Sequence, residues 1–370
     1  MLLFAIIFLS IYAGMHALVF WGISPLLKGH QALPFLTLVW MVVMTLLPIA
    51  IRLLDHHGLP TIARPLSWIG YTWMGFLWLA FAAYSLQGLV HLLRKVIGFP
   101  AHPLHGPVAA GAILLLVTAV GLYGLYEAHN LQTEQVHLTS GKLPIGHPGI
   151  RIVQISDLHL GLIHQQETLA PIISRIRQLH PDLVVATGDI VDAELSHLDG
   201  LAELWQGIDA PLGMYAITGN HEYYAGLEQA VDFLQRSGFT LLRGEALQLT
   251  PFLTLLGVDD PGRSGISEDA PLPQGLRGDG FTVLLKHRPI PPRDAAGRFD
   301  LQLSGHAHRG QIFPFNLLTR LRYPLQDGLS PLSGGGQIYA SRGTGTWGPP
   351  MRVLSPPELT LFEITPGESP

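Results

Sequence analysis

Two textures of apolar patterning divide this chain. Over the first 130 residues, four long apolar runs follow one another: Met1 to Ile23, Ala32 to Leu54, Leu66 to Leu93 and Val108 to Ala128. Each reaches the roughly 20 residues that a helix needs to cross a bilayer core of about 30 Å. Stretches such as Ala109 to Tyr123 have no polar face at helical spacing, which argues against a water-soluble bundle. Trp21, Trp68 and Trp73 stand near span ends, where amphipathic rings favour the interface. The pattern predicts four transmembrane helices. Met1 to about Val19 lacks the positively charged leading segment of a cleaved signal peptide.

From residue 150 the pattern changes to short β-rich runs bounded by Gly, Pro and Asp. Ile150 to Ile155, Leu183 to Ala186, Met214 to Ile217, Phe252 to Leu256, Thr282 to Leu285, Leu301 to Leu303 and Ile338 to Ala340 read as strands. Helical patterns fall between the early strands, at Gln166 to Leu179 and Leu227 to Ser237. Strand, helix, strand, helix implies an α/β core with polar motifs at strand ends. The expected organisation is a transmembrane domain over 1–128, a turn-rich linker over 129–149, an α/β domain over 150–364 and a tail over 365–370.

Charge sharpens the division. Residues 1–150 hold six Lys/Arg and three Asp/Glu, whereas the remainder holds sixteen and twenty-four. The acidic second part has no basic stripe that would track a nucleic-acid backbone, so no nucleic-acid partner is expected. There is no cysteine, which removes disulfides, thiolate metal sites and a thiol nucleophile. Basic residues near the spans balance on the two sides, leaving the positive-inside rule undecided. A bacterial inner membrane with the second domain in the cytoplasm is the working expectation.

Candidate chemistry gathers after the predicted strands, in Asp157-Leu-His159, Gly188-Asp189, Gly219-Asn220-His221-Glu222, His287 and Gly305-His306-Ala-His308. In an extended segment, ligands at i and i+2 point to one side, so Asp157 and His159 can grip one ion. Asp189 follows an apolar strand and could bridge two cations. Asn220 offers a carboxamide oxygen, and His221 a proton for a departing group. His306 and His308 can serve one ion each. Carboxylates, a carboxamide and imidazoles without thiolate suit a pair of divalent ions such as Mn2+, Fe2+ or Zn2+. Each block alone is ordinary turn or surface chemistry; it is their ordered recurrence after strands that makes a site. Glu222 reads as a solvated turn carboxylate, with orientation of His221 as the alternative. Histidines outside the blocks, including His164, His180 and His197, are not proposed as ligands.

This ordered series resembles the calcineurin-like metallophosphoesterases over about residues 150–364, and looks most like a bacterial membrane-associated branch related to UDP-2,3-diacylglucosamine hydrolases. The resemblance implies a two-sheet sandwich flanked by helices with the site at strand carboxyl ends. It also implies one ion held by Asp157, His159, Asp189 and His308, and a second by Asp189, Asn220, His287 and His306. A metal-bridging hydroxide would then attack phosphorus while His221 assists the leaving group. The substrate expected is a phosphodiester or pyrophosphate, lipid-linked and nucleotide-activated in the leading reading. A soluble nucleotide or phosphoprotein is the enzymatic alternative, and a metal-stabilised scaffold or sensor the non-enzymatic one.

Two further stretches stand apart. Ser341 to Arg352, dense in Gly and Pro, reads as a rigid turn in preference to a phosphate-binding loop. Pro314 to Tyr323 mixes apolar, aromatic and basic residues, fitting a membrane-surface segment and a partly buried helix equally well.

Overall fold

In a computed structural model of the chain, residues 2–98, 105–192, 197–262, 272, 279–293 and 296–367 are described. The apolar runs become four helices: α1 (Leu2–Leu27), α2 (Leu33–His56), α3 (Pro60–Val96) and α4 (Pro107–Ala128). All four are long and apolar enough to cross a membrane. They form one unit, Met1–Tyr126 with Gly348–Val353, while Glu127–Trp347 and Leu354–Pro370 form the other. Within the first unit the Arg352 N–H donates to Gly124 O at 2.9 Å. A side chain at Gly124 would meet Met351 and Val353 below 3 Å, so only glycine admits that approach.

His16 joins three of these helices. Its Nδ1–H donates to Tyr12 O (2.8 Å), its Nε2 accepts from Trp73 Nε1 (2.9 Å), and Thr45 Oγ1 lies 3.2 Å from Nδ1. With one ring nitrogen donating and the other accepting, the imidazole is neutral and acts as an interhelical tie, a role suited to an apolar surrounding.

The second unit holds β1 (Gln132–Ser140), β2 (Ile150–Ile155), α5 (Gln166–Gln178), β3 (Leu183–Ala186), β4 (Met214–Ala216), α6 (Asn220–Ala225), α7 (Leu227–Arg236), β5 (Thr240–Leu241), β6 (Glu245–Thr250), β7 (Leu253–Gly257), β8 (Phe281–Leu285), β9 (Leu301–Ser304), α8 (Asn316–Arg322), β10 (Gly328–Pro331), β11 (Gln337–Ala340) and β12 (Glu358–Pro366). One sheet runs β1-β12-β2-β3-β4-β5 and the other β10-β11-β9-β8-β7-β6. β2, β3, β4 and β5 are mutually parallel, as are β7, β8, β9 and β11. The fold is the expected α/β two-sheet sandwich with flanking helices.

Alternation along β2 shows how the layers form. Ile150 and Ile152 face the other sheet, packing in one core with Leu253, Leu255, Val283, Leu285, Leu301 and Leu303. Val153 and Ile155 face outward, under Leu169, Ile172 and Ile176 of α5 and Phe233 of α7. Strands buried on both faces have no polar side to show, hence the unbroken apolar runs.

The stretch expected as linker, 129–149, differs from that reading: residues 132–140 form β1, paired in parallel with β12 from Gln132↔Glu358 to Ser140↔Pro366. Only Val136 and Leu138 of β1 turn to the inter-sheet core, so its sequence carries little apolar periodicity. Of the expected tail, Thr365 and Pro366 belong to β12, and 368–370 lie outside the described residues.

Trp205 is fully buried in the helix-covered core, its ring edge-on to Phe239 at 5.1 Å. Trp205→Ala is expected to lower the stability of this unit by about 3–5 kcal/mol, read from the denaturant midpoint of the full chain by far-UV circular dichroism.

Candidate metal centre

Every block singled out in the sequence lies at the carboxyl end of a parallel strand. Asp157 and His159 follow β2, Asp189 follows β3, Asn220 and His221 open α6 after β4, His287 follows β8, and His306 and His308 follow β9. Backbone pairing between the first two loops fixes their register, with Asp157 N–H donating to Gly188 O and His159 N–H to Asp189 O, each at 3.0 Å. Asp157, His159, Asp189, His306 and His308 all adopt left-handed φ values, between 47° and 67°. Such conformations are unfavourable for residues with a Cβ and gather where the surrounding structure imposes them. Gly188 (φ 93°) approaches so closely that a Cβ there would lie 2.6 Å from Gly219 N and 2.8 Å from His287 Nδ1.

Three groups of ligand atoms converge, each within 4.8 Å: Asp157, His159 and His308; His159, Asp189 and His221; and Asp189, His287 and His306. All these residues are buried except His306, which is half-buried. Asn220 is buried beside His221, and among the described residues its Oδ1 has no hydrogen-bond donor.

Hydrogen bonding tests whether this arrangement fits a cation. His287 Nδ1 donates to Thr187 O (2.7 Å), which leaves an Nε2 lone pair if the ring is neutral. That Nε2 faces Asp189 Oδ2 at 3.1 Å and His306 Nδ1 at 3.1 Å. Likewise His159 Nε2 and His308 Nε2 meet at 3.2 Å, with Asp157 Oδ1 3.3 Å from the latter. Acceptors facing acceptors in a buried place require positive charge between them, and oxygen and imidazole donors match the divalent ions named above. The residues fit the group.

Titration behaviour carries the same message. Burial would raise the carboxyl groups, but His308 holds Asp157 below the usual carboxylate range, and His287 with His221 holds Asp189 well below it. Burial would lower His287, yet the Asp189 charge and hydrogen bond push it up to about 10. His221 is likewise lowered by burial but raised, to about 9, by Asp189 and by its bond to Asp192. Burial takes His159 well below its ordinary value, with His221 adding to the effect, and takes His306 down to about 4, with His287 adding to it. Neighbouring imidazoles, His308 for Asp157 and His287 with His221 for Asp189, thus supply positive charge that cations would otherwise bring.

Glu222 corrects the expectation of a solvated carboxylate. It is completely buried, and its two oxygens accept four backbone N–H groups: Gly219 (2.7 Å), Asp189 (3.0 Å), Ile190 (2.7 Å) and Val191 (3.1 Å). The reach back to Gly219 is a helix-start bond, and the other three tie the β3 loop to the β4 loop. Burial and Asp189 raise this carboxyl to about 7 against the pull of the Val191 and Gly219 N–H groups. Nor does Glu222 orient His221; Asp192 accepts a short hydrogen bond from His221 Nδ1. Asp192 stands in no motif, and Tyr323, whose hydroxyl lies 2.9 Å from His306 Nε2, closes the Pro314 to Tyr323 stretch, whose composition carries no sign of a contact with the site. Among the described residues, His164, His180 and His197 belong to none of the three groups.

Arg342 is committed to Glu358 (2.8 Å), Glu134 and Asp327 (3.8 Å), as a structural turn requires. Trp347, in contrast, is exposed, its ring 5.4 Å from that of His221, and its backbone is held at both N–H and C=O by the Gln311 side chain (2.9 and 3.0 Å).

Comparison with known proteins accords with this geometry. The calcineurin-like phosphoesterase family profile matches residues 150–310, which contain all seven candidate ligands. An uncharacterized metallophosphoesterase of Aquifex aeolicus is 37% identical over 257 residues, covering 68% of this chain and 98% of that one. This chain belongs to the calcineurin-like phosphoesterases. A Bacillus subtilis metallophosphoesterase is 34% identical over 278 residues, covering 70% of this chain and 94% of that one. A Danio rerio transmembrane protein with metallophosphoesterase domain is 34% identical over 268 residues, or 67% of this chain and 61% of that protein's length. Among solved structures, a dimetal phosphatase from Danio rerio is a distant likeness, with a TM-score of 0.35 and 13% identity over 52% of this chain and 87% of that one. As a calcineurin-like phosphoesterase, the protein is a metal-dependent hydrolase of phosphoric esters.

Glu222→Gln replaces one acceptor oxygen by an amide that faces backbone donors. It is expected to cost about 2–4 kcal/mol of stability and to lower metal content, measured by denaturant unfolding and elemental analysis of the same preparation.

Proposed function

We propose that this phosphoesterase is a multi-pass membrane enzyme that hydrolyses an amphipathic phosphodiester or pyrophosphate, with a nucleotide-linked lipid of the UDP-diacylglucosamine kind as the specific substrate class. The supporting observation is the convergence of buried carboxylates and imidazoles, acceptor to acceptor, in a chain that also carries four helices long and apolar enough to span a bilayer. Asp157, His159, Asp189 and His308 would hold one divalent ion, and Asp189, Asn220, His287 and His306 the other, as Mn2+, Fe2+ or Zn2+. Bound ions supply Lewis acidity toward the phosphoryl oxygens and acidify water.

The protein's own groups account for the rest. Thr187 O fixes the His287 tautomer, and the Tyr323 hydroxyl holds the far nitrogen of His306 and so the orientation of its ring, leaving one nitrogen of each ring facing inward. Asp192 holds Nδ1 of His221, which leaves the opposite nitrogen to deliver a proton to the leaving oxygen. The Asp192 carboxylate at Nδ1 favours the protonated imidazole, the form that can act as a proton donor. Exposed Trp347 and Tyr224, with rings 5.4 and 5.2 Å from the ring of His221, flank the leaving-group side. A cytoplasmic position of the catalytic unit at a bacterial inner membrane completes the reading.

With purified full-length protein and added Mn2+, a lipid-linked nucleotide diphosphate is expected to be cleaved faster than water-soluble nucleotides; hydrolysis confined to the latter would remove the lipid substrate. His221→Ala is expected to reduce kcat by about 10²–10⁴ with metal content intact, whereas Asp189→Ala loses metal and activity together. If both variants matched a metal-loaded wild type, the metal would be structural. Bound metal is also expected to fall as pH drops through the imidazole range, because the four ligand histidines bind only when unprotonated; elemental analysis after dialysis at stepped pH reads this.

A further inference from the structure

α8, which follows the turn of His308, has its polarity reversed. Thr319 faces the body of its unit, where its hydroxyl donates to Gln326 Oε1 at 2.5 Å and Gln326 Nε2 donates to Asn316 O at 3.0 Å. At about 100° per residue, Leu317 and Leu321 lie on the face opposite Thr319. They are 59% and 82% exposed, with Leu318 at 53%. No residue of this helix is buried. A surface helix in water does the opposite, turning its leucines inward. Of the two readings of Pro314 to Tyr323, the helix is present with Asn316, Thr319 and Tyr323 partly buried, and its outward leucine face is what the membrane-surface reading would use.

The surrounding charge is also specific. Residues 309–326 contain Arg309, Arg320 and Arg322 and no Asp or Glu, within a part of the chain that is otherwise acidic. Arg309 pairs with Asp327 (3.2 Å), while exposed Arg320 and Arg322 lie beside the leucine stripe. An apolar stripe bordered by arginines matches the boundary between acyl chains and phosphate headgroups. The same chain supplies four apolar helices long enough to cross such a bilayer.

We propose that α8 is a membrane-surface contact of the catalytic unit, with Leu317, Leu318 and Leu321 entering an anionic bilayer and Arg320 and Arg322 meeting its headgroup phosphates. Tyr323, the residue after the helix, places its hydroxyl 2.9 Å from His306 Nε2. Headgroup level and a residue in contact with the candidate metal centre are then adjacent along the chain. That last step, which makes α8 the entry for substrate drawn from the bilayer, rests on the function proposed above.

The absence of cysteine makes the test direct. Leu321→Cys, carrying a nitroxide, is examined in the full-length protein in nanodiscs of phosphatidylcholine and phosphatidylglycerol, with Glu228→Cys on the exposed face of α7 as the reference. Collisions with oxygen are expected to exceed those with a water-soluble nickel chelate at position 321, with the reverse at 228. A label at 321 that behaves like the one at 228, or that is shielded from both reagents by protein, would overturn the proposal. A second arm uses Leu317→Asp/Leu321→Asp, expected to lose about tenfold or more in turnover of a bilayer-borne diester with unchanged hydrolysis of bis-p-nitrophenyl phosphate in water. Equal loss on both substrates, or none on either, would overturn it. Because the label reports without turnover, an enzyme inert toward every diester would refute the function and leave the contact still measurable.

Discussion

The constraint on which this catalytic unit depends is electrostatic: buried oxygen and nitrogen lone pairs converge, with too few donors among them. Asp157 and Asp189 cannot remain ionised in such a place without positive charge at hydrogen-bond range. His287 shows the point most directly, since its Nδ1 is committed to Thr187 O and its other nitrogen faces Asp189 and His306 together. One proton meets part of that demand, and a pair of divalent cations, as proposed above, would meet the rest and link the ends of five strands. Ion binding is therefore part of what makes the fold's own arrangement tenable.

Backbone geometry shows what the arrangement asks of the chain. Five candidate ligands sit in left-handed conformations, each unfavourable by on the order of 1 kcal/mol or more. The Glu222 carboxylate, gathering N–H groups from two loops, is one device that holds them there, and Gly188 is another, since any side chain would collide with the β4 loop. Stability from the two-sheet core is in this way converted into a fixed geometry for the candidate ligands.

Much of this was legible in the sequence. β2 and β3 match their expected bounds residue for residue because both faces are buried and the apolar run is unbroken. β1 was hidden because it is an edge strand with two core-facing residues among polar ones, and β12 because Glu358, Thr360 and Glu363 within it interrupt the apolar signal. The seven candidate ligands stood out as motifs. Glu222 stood in one of those motifs but its role did not show, because three of the four backbone amides it accepts come from another loop; Asp192 lies in none, and only the loop paths bring it to the His221 ring. α8 was ambiguous because composition cannot tell which face of a seven-residue helix meets the protein; the Thr319 hydrogen bond decides that.

The parallel pairing of β1 with β12 has a consequence for biosynthesis. Gln132 waits for Glu358, 226 positions further along, and β12 also forms the only link between β1 and β2 in their sheet. At ribosomal rates of about 5–20 residues per second, β1 emerges roughly 10–45 s before its neighbour. During that interval its hydrogen-bonding edge is an open template for wrong partners. Its Glu134, Gln132, Gln135 and His137 make it a poor one, so the polarity that conceals this strand from pattern reading also protects the nascent chain until the sheet can close.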